Sequence, residues 1–488
     1  MPEAEMHPMI IYDDREWVAD RLSRYTGVRR YGSLHVRGRS VTEHFVSALP
    51  DWARHRLTII EPGANLESIS STLPSMRRGS GVLMMAARGA VLDSYALQQI
   101  IMRVPYSDRA VVDRRRHALF RYFPTIEALQ DRWNEFRTAP LHKTDGADEV
   151  AVELAGETPL LDIGELPSLL QFIAGSTTAR AFNDVSFDAL TYRKRSANKA
   201  KIKAEHDYYS LIPTSMKPWM VGAYDYREDA DGAEYKMLRY RFADAAFQWA
   251  HNAWSSEDFS EFLSRSLQFL SSRPSRPARR DQLEAVAESL FITKVRERWE
   301  QLLGSATGAQ IIRGLSNSPG GERVVGAYED YLSLVRANWR RVSAGEMVIG
   351  HGDPCLSNIL YDPVTSTMKL IDPKGATTED QLWTHSLYDY CKLSHSILGD
   401  YDYINNMLFE VKLNERAEHE LALKQTAPNE FKREFEHRVS KTQDLLAIRL
   451  GEASLFLSML PLHLDHPKKV VAFLLRARSI LDGAKALA

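Results

Sequence analysis

HGDPCLSNILYDPVTSTMKLIDPKG, from His351 to Gly375, sets two acids and an amide at fixed intervals. Asn358 follows Asp353 by five residues, and Asp372 follows Asn358 by fourteen. Ile359 to Tyr361 reads as a strand, Asp362-Pro363 to Thr367 as a turn cluster, and Met368 to Ile371 as the returning strand. In an antiparallel hairpin the start of the first strand lies beside the end of the second. The spacing therefore predicts Asn358 and Asp372 at one end of a hairpin, with Asp353 on the loop leading in. An amide oxygen beside a carboxylate suits a hard cation that keeps some of its waters, such as Mg²⁺. A second carboxylate nearby can accept a hydroxyl proton. Together these are the parts for moving a phosphoryl group from a nucleoside triphosphate to a hydroxyl.

The same residues carry a family likeness. HGD-x4-N followed by IDPKG resembles the aminoglycoside phosphotransferase and choline kinase group, relatives of the protein kinases. Protein kinases have His-Arg-Asp where this chain has His351-Gly352-Asp353, and Asp-Phe-Gly where it has Asp372-Pro373-Lys374-Gly375. The resemblance implies Asp353 as catalytic base, Asn358 and Asp372 as Mg²⁺ ligands, and Asp389 in LYDYCKLSHS as a structural acid. It extends over roughly residues 166 to 485, including the closing LPLHLDHPKKVVAFLLRA.

A site of this kind also needs a cation on the phosphates and a carboxylate to hold it. TYRKRS offers Lys194 at the end of a strand, and the helix expected in SANKAKIKAEHDYYSLIP offers Glu205. Ile202, Glu205 and Tyr209 share one helical face, so Glu205 points inward and needs a partner. Arg193 and Arg195 belong to the opposite side of the strand from Lys194. The phosphate loop is expected in AGSTTARAF, where Ser176 and Thr177 offer hydroxyls and amides around a single glycine, Gly175. By resemblance alone, the backbone from Leu238 to Tyr240 in MLRYRF would meet adenine.

Around this core the chain divides into segments of different texture. Residues 1–145 alternate helix-like stretches with short apolar runs at Met9–Tyr12, Leu57–Gly63 and Gly81–Gly89, the pattern of an α/β layer domain. They carry no glycine fingerprint for a nucleotide. MIIYDDREWVADRLSRYTGVRR resembles the start of sugar nucleotidyltransferase domains, sometimes fused to such kinases in bacterial surface-polysaccharide pathways; without their glycine-rich signature, the domain is expected to be non-catalytic. Residues 146–165 read as a linker. Residues 166–244, with three strands expected from Leu166 to Arg195, form the strand-rich half of an α+β two-lobed unit, and 245–488 its large helical lobe.

Composition bounds the rest. With 488 residues, 44% hydrophobic and 26% charged, the chain can bury large cores, and a net charge of −2 gives no footprint for nucleic acid. Two cysteines exclude a disulfide framework and fit a reducing compartment. With no signal peptide and no apolar run long enough for a bilayer, the expected location is cytoplasmic. Neither Cys355 nor the group His463, Asp465 and His466 has the partners needed for a nucleophile or a metal centre. The basic DRRRHALFRYF, Asp113 to Phe123, reads as a solvated helix face. The expected function is therefore ATP- and Mg²⁺-dependent phosphorylation of a small hydroxyl-bearing molecule, a sugar or amino sugar. A nucleotide-binding pseudokinase is the alternative favoured by the glycine-poor loop, and a bifunctional nucleotidyltransferase–kinase is another. Protein-kinase activity is disfavoured by the short stretch between IDPKG and Asp389.

Overall fold

The computed structural model describes residues 7–64, 81–113, 118–141, 159–175, 183–188 and 190–487, and divides into two compact units between residues 177 and 178. In the first unit, Met9–Asp13 is buried at every position and pairs in parallel with Leu57–Ile60 on one side and Val82–Ala86 on the other. Met9–Asp13 and Val82–Ala86, buried at every position, read as the continuous apolar runs of strands covered on both faces, whereas Leu57–Ile60 is an edge strand with Ile59 exposed. Phe120–Phe123 and Val111–Val112 then extend the sheet antiparallel. The sheet is thus mixed, and Phe120–Phe123 is a wholly buried interior strand where a solvated helix face was expected. Ser40 caps the helix Val41–Ala48 reciprocally with Glu43, its hydroxyl accepting from the Glu43 amide at 3.1 Å.

Two expected boundaries are corrected. Leu160–Asp162, placed in the linker, is a strand paired antiparallel with Gly89–Val91. Leu166–Gly175, read as a strand, is a helix with Leu169, Leu170 and Phe172 buried. A short apolar run does not distinguish a buried strand from a buried helix. Both elements fall in the first unit, not in a kinase-like lobe beginning at residue 166.

The second unit opens with a four-stranded antiparallel sheet, in the order Asn183–Phe187, Thr191–Ser196, Ala233–Leu238, Ala223–Glu228. The helix Lys199–Leu211 begins where the Lys201 amide donates to Asn198 Oδ1 at 3.1 Å and ends just before Pro213, whose ring disfavours a helical conformation for the residue before it. Beyond this sheet the unit is mainly helical. Ser256–Ser272, Leu387–Ile397, Leu445–Met459 and Pro467–Lys485 pack into one extended apolar core. The span Leu445–His463 is long and apolar enough to cross a membrane by length and composition, but 72% of it is buried within the protein. A hairpin, Phe409–Leu413 with His419–Leu423, interrupts a stretch expected to be helical throughout. The strand Met347–Ile349 pairs with Ser275–Arg276 and Trp383–His385 and leads directly into His351.

Candidate active site

The hairpin forms as the turn chemistry predicts: Ile359–Asp362 pairs with Thr367–Leu370. The Ile371 amide donates to the Asn358 carbonyl at 3.0 Å, so Asn358 and Asp372 do come to the same end. The Asn358 side-chain Nδ2 donates to the Asp353 carbonyl at 2.9 Å. That bond fixes the loop between them and turns the amide oxygen away, where it receives no hydrogen bond from the described residues.

Lys194 comes to the same place from the sheet. Its Nζ lies 2.8 Å from Glu205 Oε2 and 3.0 Å from Asp372 Oδ1. The Lys194 and Glu205 side chains are 5% and 2% exposed, whereas Asp372 is 37% exposed. A buried ammonium is tolerable only when paired. Burial disfavours its charged form, but Asp372 and Glu205 outweigh this and hold Lys194 above its ordinary value. Tyr235, opposite Lys194 in the sheet, donates its hydroxyl to Glu205 Oε2 at 3.1 Å. Arg193 and Arg195 turn the other way and pair with Glu234, as the strand alternation requires.

The segment after Asp372 is docked onto the helix that carries Glu205. The Ala376 amide donates to the Ala204 carbonyl at 3.0 Å. Gly375 has φ +87°, and a Cβ there would sit 2.6 Å from the Ala204 carbonyl carbon, so only glycine fits. Asp372 itself has φ +55°, a left-handed conformation uncommon outside glycine and tolerated best by Asp and Asn. Such backbone strain is held where the surroundings over-determine it, as the Lys194 pair does here.

Asp353 is positioned from the helical side. The helix Leu387–Ile397 buries Asp389 completely, and its carboxylate accepts from the His351 and Gly352 amides at 2.9 Å each. Arg273 Nη1 donates to the same carboxylate at 2.7 Å. From the same helix Lys392 reaches Asp353, Nζ to Oδ1, at 2.9 Å. Burial raises the affinity of Asp353 for a proton, and the Lys392 ammonium more than offsets this, leaving the carboxyl below its ordinary range. Asp353 is therefore ionised at neutral pH and able to take a proton.

A cavity of about 290 Å³ opens beside loop 351–358. Tyr208, Trp383 and Tyr388 give it aromatic walls; Ser289, Gln381 and Thr384 add polar groups; Gly352 and Lys374 also line it. None of its lining residues is Asp or Glu. Ser289 belongs to a π-helical turn, Ser289–Thr293, of the kind often found at functional sites.

Of the residues singled out from sequence, Lys194, Glu205, Asp353, Asn358 and Asp372 belong to one contiguous network. Leu238 ends the strand beside that of Lys194, and Tyr240 follows where the chain leaves the sheet, its ring 5.5 Å from Lys369 Nζ. Ser176 and Thr177 lie outside the described residues. Arg273, Tyr235 and Lys392 were missed. Each lies far along the chain from its partner, and only Lys392 leaves a local trace, three residues after Asp389 on the same helix face.

The donor set fits the Mg²⁺ expected from sequence. It offers one amide oxygen, of Asn358, and one carboxylate, of Asp372, the oxygen donor types that a small hard cation takes. Among the described residues no group of three or more His, Cys, Asp or Glu is placed to hold a metal ion.

No protein-family model and no curated protein sequence matches this chain. Similar solved structures include Plasmodium vivax ethanolamine kinase, 10% identical over 66% of this chain and 86% of that one, with a TM-score of 0.37. Aminoglycoside phosphotransferase APH(3'')-Id from Streptomyces rimosus, in complex with ADP and streptomycin, is 16% identical over 61% and 98%, with a TM-score of 0.33. A thermostable mutant of aminoglycoside phosphotransferase APH(4)-Ia, in a ternary complex with ADP and hygromycin B, is 11% identical over 62% and 94%, with a TM-score of 0.37.

Proposed function

We propose that the second unit is an ATP- and Mg²⁺-dependent phosphotransferase acting on the hydroxyl of a small molecule. The observation that carries this reading is the position of Lys194, within 3.0 Å of both Glu205 and Asp372, at the open end of the hairpin that holds Asn358. A buried lysine shared by a helix acid and a half-exposed acid is more than folding requires. It suits a site where Lys194 meets nucleotide phosphates, while Asn358 and Asp372 hold the cation that neutralises them. Asp353 then receives the proton of the acceptor hydroxyl. The backbone near Leu238 and Tyr240 takes the adenine.

A thermal-shift titration tests the nucleotide site. A ligand that binds only the native state raises the melting temperature by mass action. Wild type should show an ATP-dependent rise that requires Mg²⁺, and Asp372→Ala should lose it. A variant that keeps the full Mg²⁺-dependent rise would remove Asp372 from the metal site.

The cavity supports a sugar or an N-acylated amino sugar as acceptor, which fits a role in a bacterial surface-polysaccharide pathway. Aromatic walls suit the C–H faces of a pyranose, and the scattered polar groups suit its hydroxyls. A polycationic acceptor would need carboxylates, and the lining has none. In a coupled assay of ADP release, neutral hexoses and N-acetylated hexosamines should stimulate turnover more than polycationic aminoglycosides do. The reverse order would sink this choice of acceptor. In the first unit Asp13 is held by Arg15 at 2.7 Å and by the Leu141 amide at 2.9 Å, while Asp14 accepts from the Gly32 amide at 2.8 Å. Acids so engaged support a structural role for that end of the sheet.

A further inference from the structure

The catalytic-loop stretch between Asp353 and Asn358 is Pro354-Cys355-Leu356-Ser357, which contains no cation. Lys194 is already committed to Glu205 and Asp372. Yet an ammonium stands at Asp353, because Lys392 lies 2.9 Å away with its side chain only 13% exposed. This is its only ion pair among the described residues. Lys392 follows Asp389 by three residues, and positions i and i+3 share a helix face. One face of the helix Leu387–Ile397 therefore both holds the loop amides and puts a positive charge on the loop's acid.

Burial works against the Lys392 charge, but Asp353 outweighs it and holds the ammonium above its ordinary value, so the charge is firmly fixed at the loop. A cation in contact with a general base also weakens that base, which is unhelpful if the base is all it touches. The arrangement becomes useful when the same ammonium meets the group that the base's substrate attacks. In phosphoryl transfer, charge spreads over the equatorial oxygens of the transferred group, and a fixed cation there stabilises the transition state.

Building on the phosphotransferase reading above, we propose that Lys392 is a catalytic residue whose ammonium bridges Asp353 and an oxygen of the phosphoryl group in transfer. In the step, the bond from the γ-phosphorus to the β,γ-bridging oxygen breaks, and its electron pair leaves with ADP. A bond forms from the acceptor oxygen to the phosphorus, and the acceptor's proton passes to Asp353. Lys392 stays protonated throughout.

The test uses the full chain and Mg²⁺-ATP, with water as acceptor, so no sugar need be known. Lys392→Met should lower kcat for ATP hydrolysis by about 10²-fold or more, the size of effect seen when one transition-state donor is removed. KM for ATP should change far less. Lys392→Arg should recover part of kcat. With its cation gone, Asp353 should titrate higher, so the acid limb of the Lys392→Met pH profile should move to higher pH. If Lys392→Met does not fold, Lys392→Gln, which keeps a donor to Asp353 without the charge, carries the same expectations. A kcat within about threefold of wild type, or a rise in KM with kcat unchanged, overturns the inference, because only uniform binding would then have been lost. A wild type that neither binds nor hydrolyses Mg²⁺-ATP overturns the phosphotransferase reading itself, a result distinct from an active wild type beside an equally active Lys392→Met.

Discussion

Asp353→Asn is expected to keep Mg²⁺-dependent ATP binding and to lose kcat by about 10²–10⁴-fold, the usual worth of a positioned general base. The loop does not depend on the carboxylate for its shape. Asn358 holds the Asp353 carbonyl and His351 Nδ1 accepts from the Asp353 amide at 3.3 Å, both through the backbone. The substitution is isosteric and leaves Asn358, Asp372 and Lys194 in place. What it removes is the group able to take a proton, together with the counter-charge of Lys392. An ammonium released from that pair attracts phosphate more strongly, so the affinity for ATP should hold or tighten while turnover collapses. Steady-state ATP turnover and a nucleotide titration on the same preparation separate the two quantities. A variant that lost ATP binding in proportion to kcat would make Asp353 a ligand instead of a base, and one within tenfold of wild-type kcat would remove it from the chemistry.

The residues that could be read from sequence share one property: local geometry decides where they go. Asn358 and Asp372 are placed by a hairpin whose turn residues are explicit, and the register Ile359 to Leu370 follows from it. Glu205 is placed by helical periodicity and Lys194 by strand alternation, so their 2.8 Å contact follows once helix and sheet pack. Where local signals were equivocal, the reading failed. LPSLLQFIAG is apolar enough for either a strand or a helix, and the packing of Leu169 and Phe172 in the first unit made it a helix. FRYF looked solvated because Arg121 sits inside it, yet that arginine is 1% exposed in an interior strand. Arg273 and Lys392 were invisible for a different reason. Their roles exist only because a helix end and a buried helix face converge on loop 351–358; the one local trace is that Lys392 follows Asp389 by three residues, on the same helix face.

Asp389→Ala should be the most destabilising single change at this site, by about 3–5 kcal/mol, the cost of breaking a buried ion pair by removing one partner. Arg273 and Asp389 are 1% and 0% exposed, so the variant would leave a guanidinium buried without its charge partner. It would also orphan the amides of His351 and Gly352, each of which donates to this carboxylate at 2.9 Å. Chemical denaturation of the second unit's transition measures the loss, and a variant within 1 kcal/mol of wild type would show that the pair is not needed to hold the fold. A second substitution separates stability from positioning. In Arg273→Met with Asp389→Leu the buried charge is gone from both sides, and the double variant should recover much of the stability lost by Asp389→Ala alone, because the desolvation of both ions is also removed. The loop amides would still lack their acceptor, and Gly352, at φ +81°, would lose the contact that fixes its turn into Asp353. Turnover should therefore stay low in the stabilised double variant. A buried acid needed only for stability would let activity return with the fold; one that aims the catalytic loop leaves a folded protein whose base is no longer aimed.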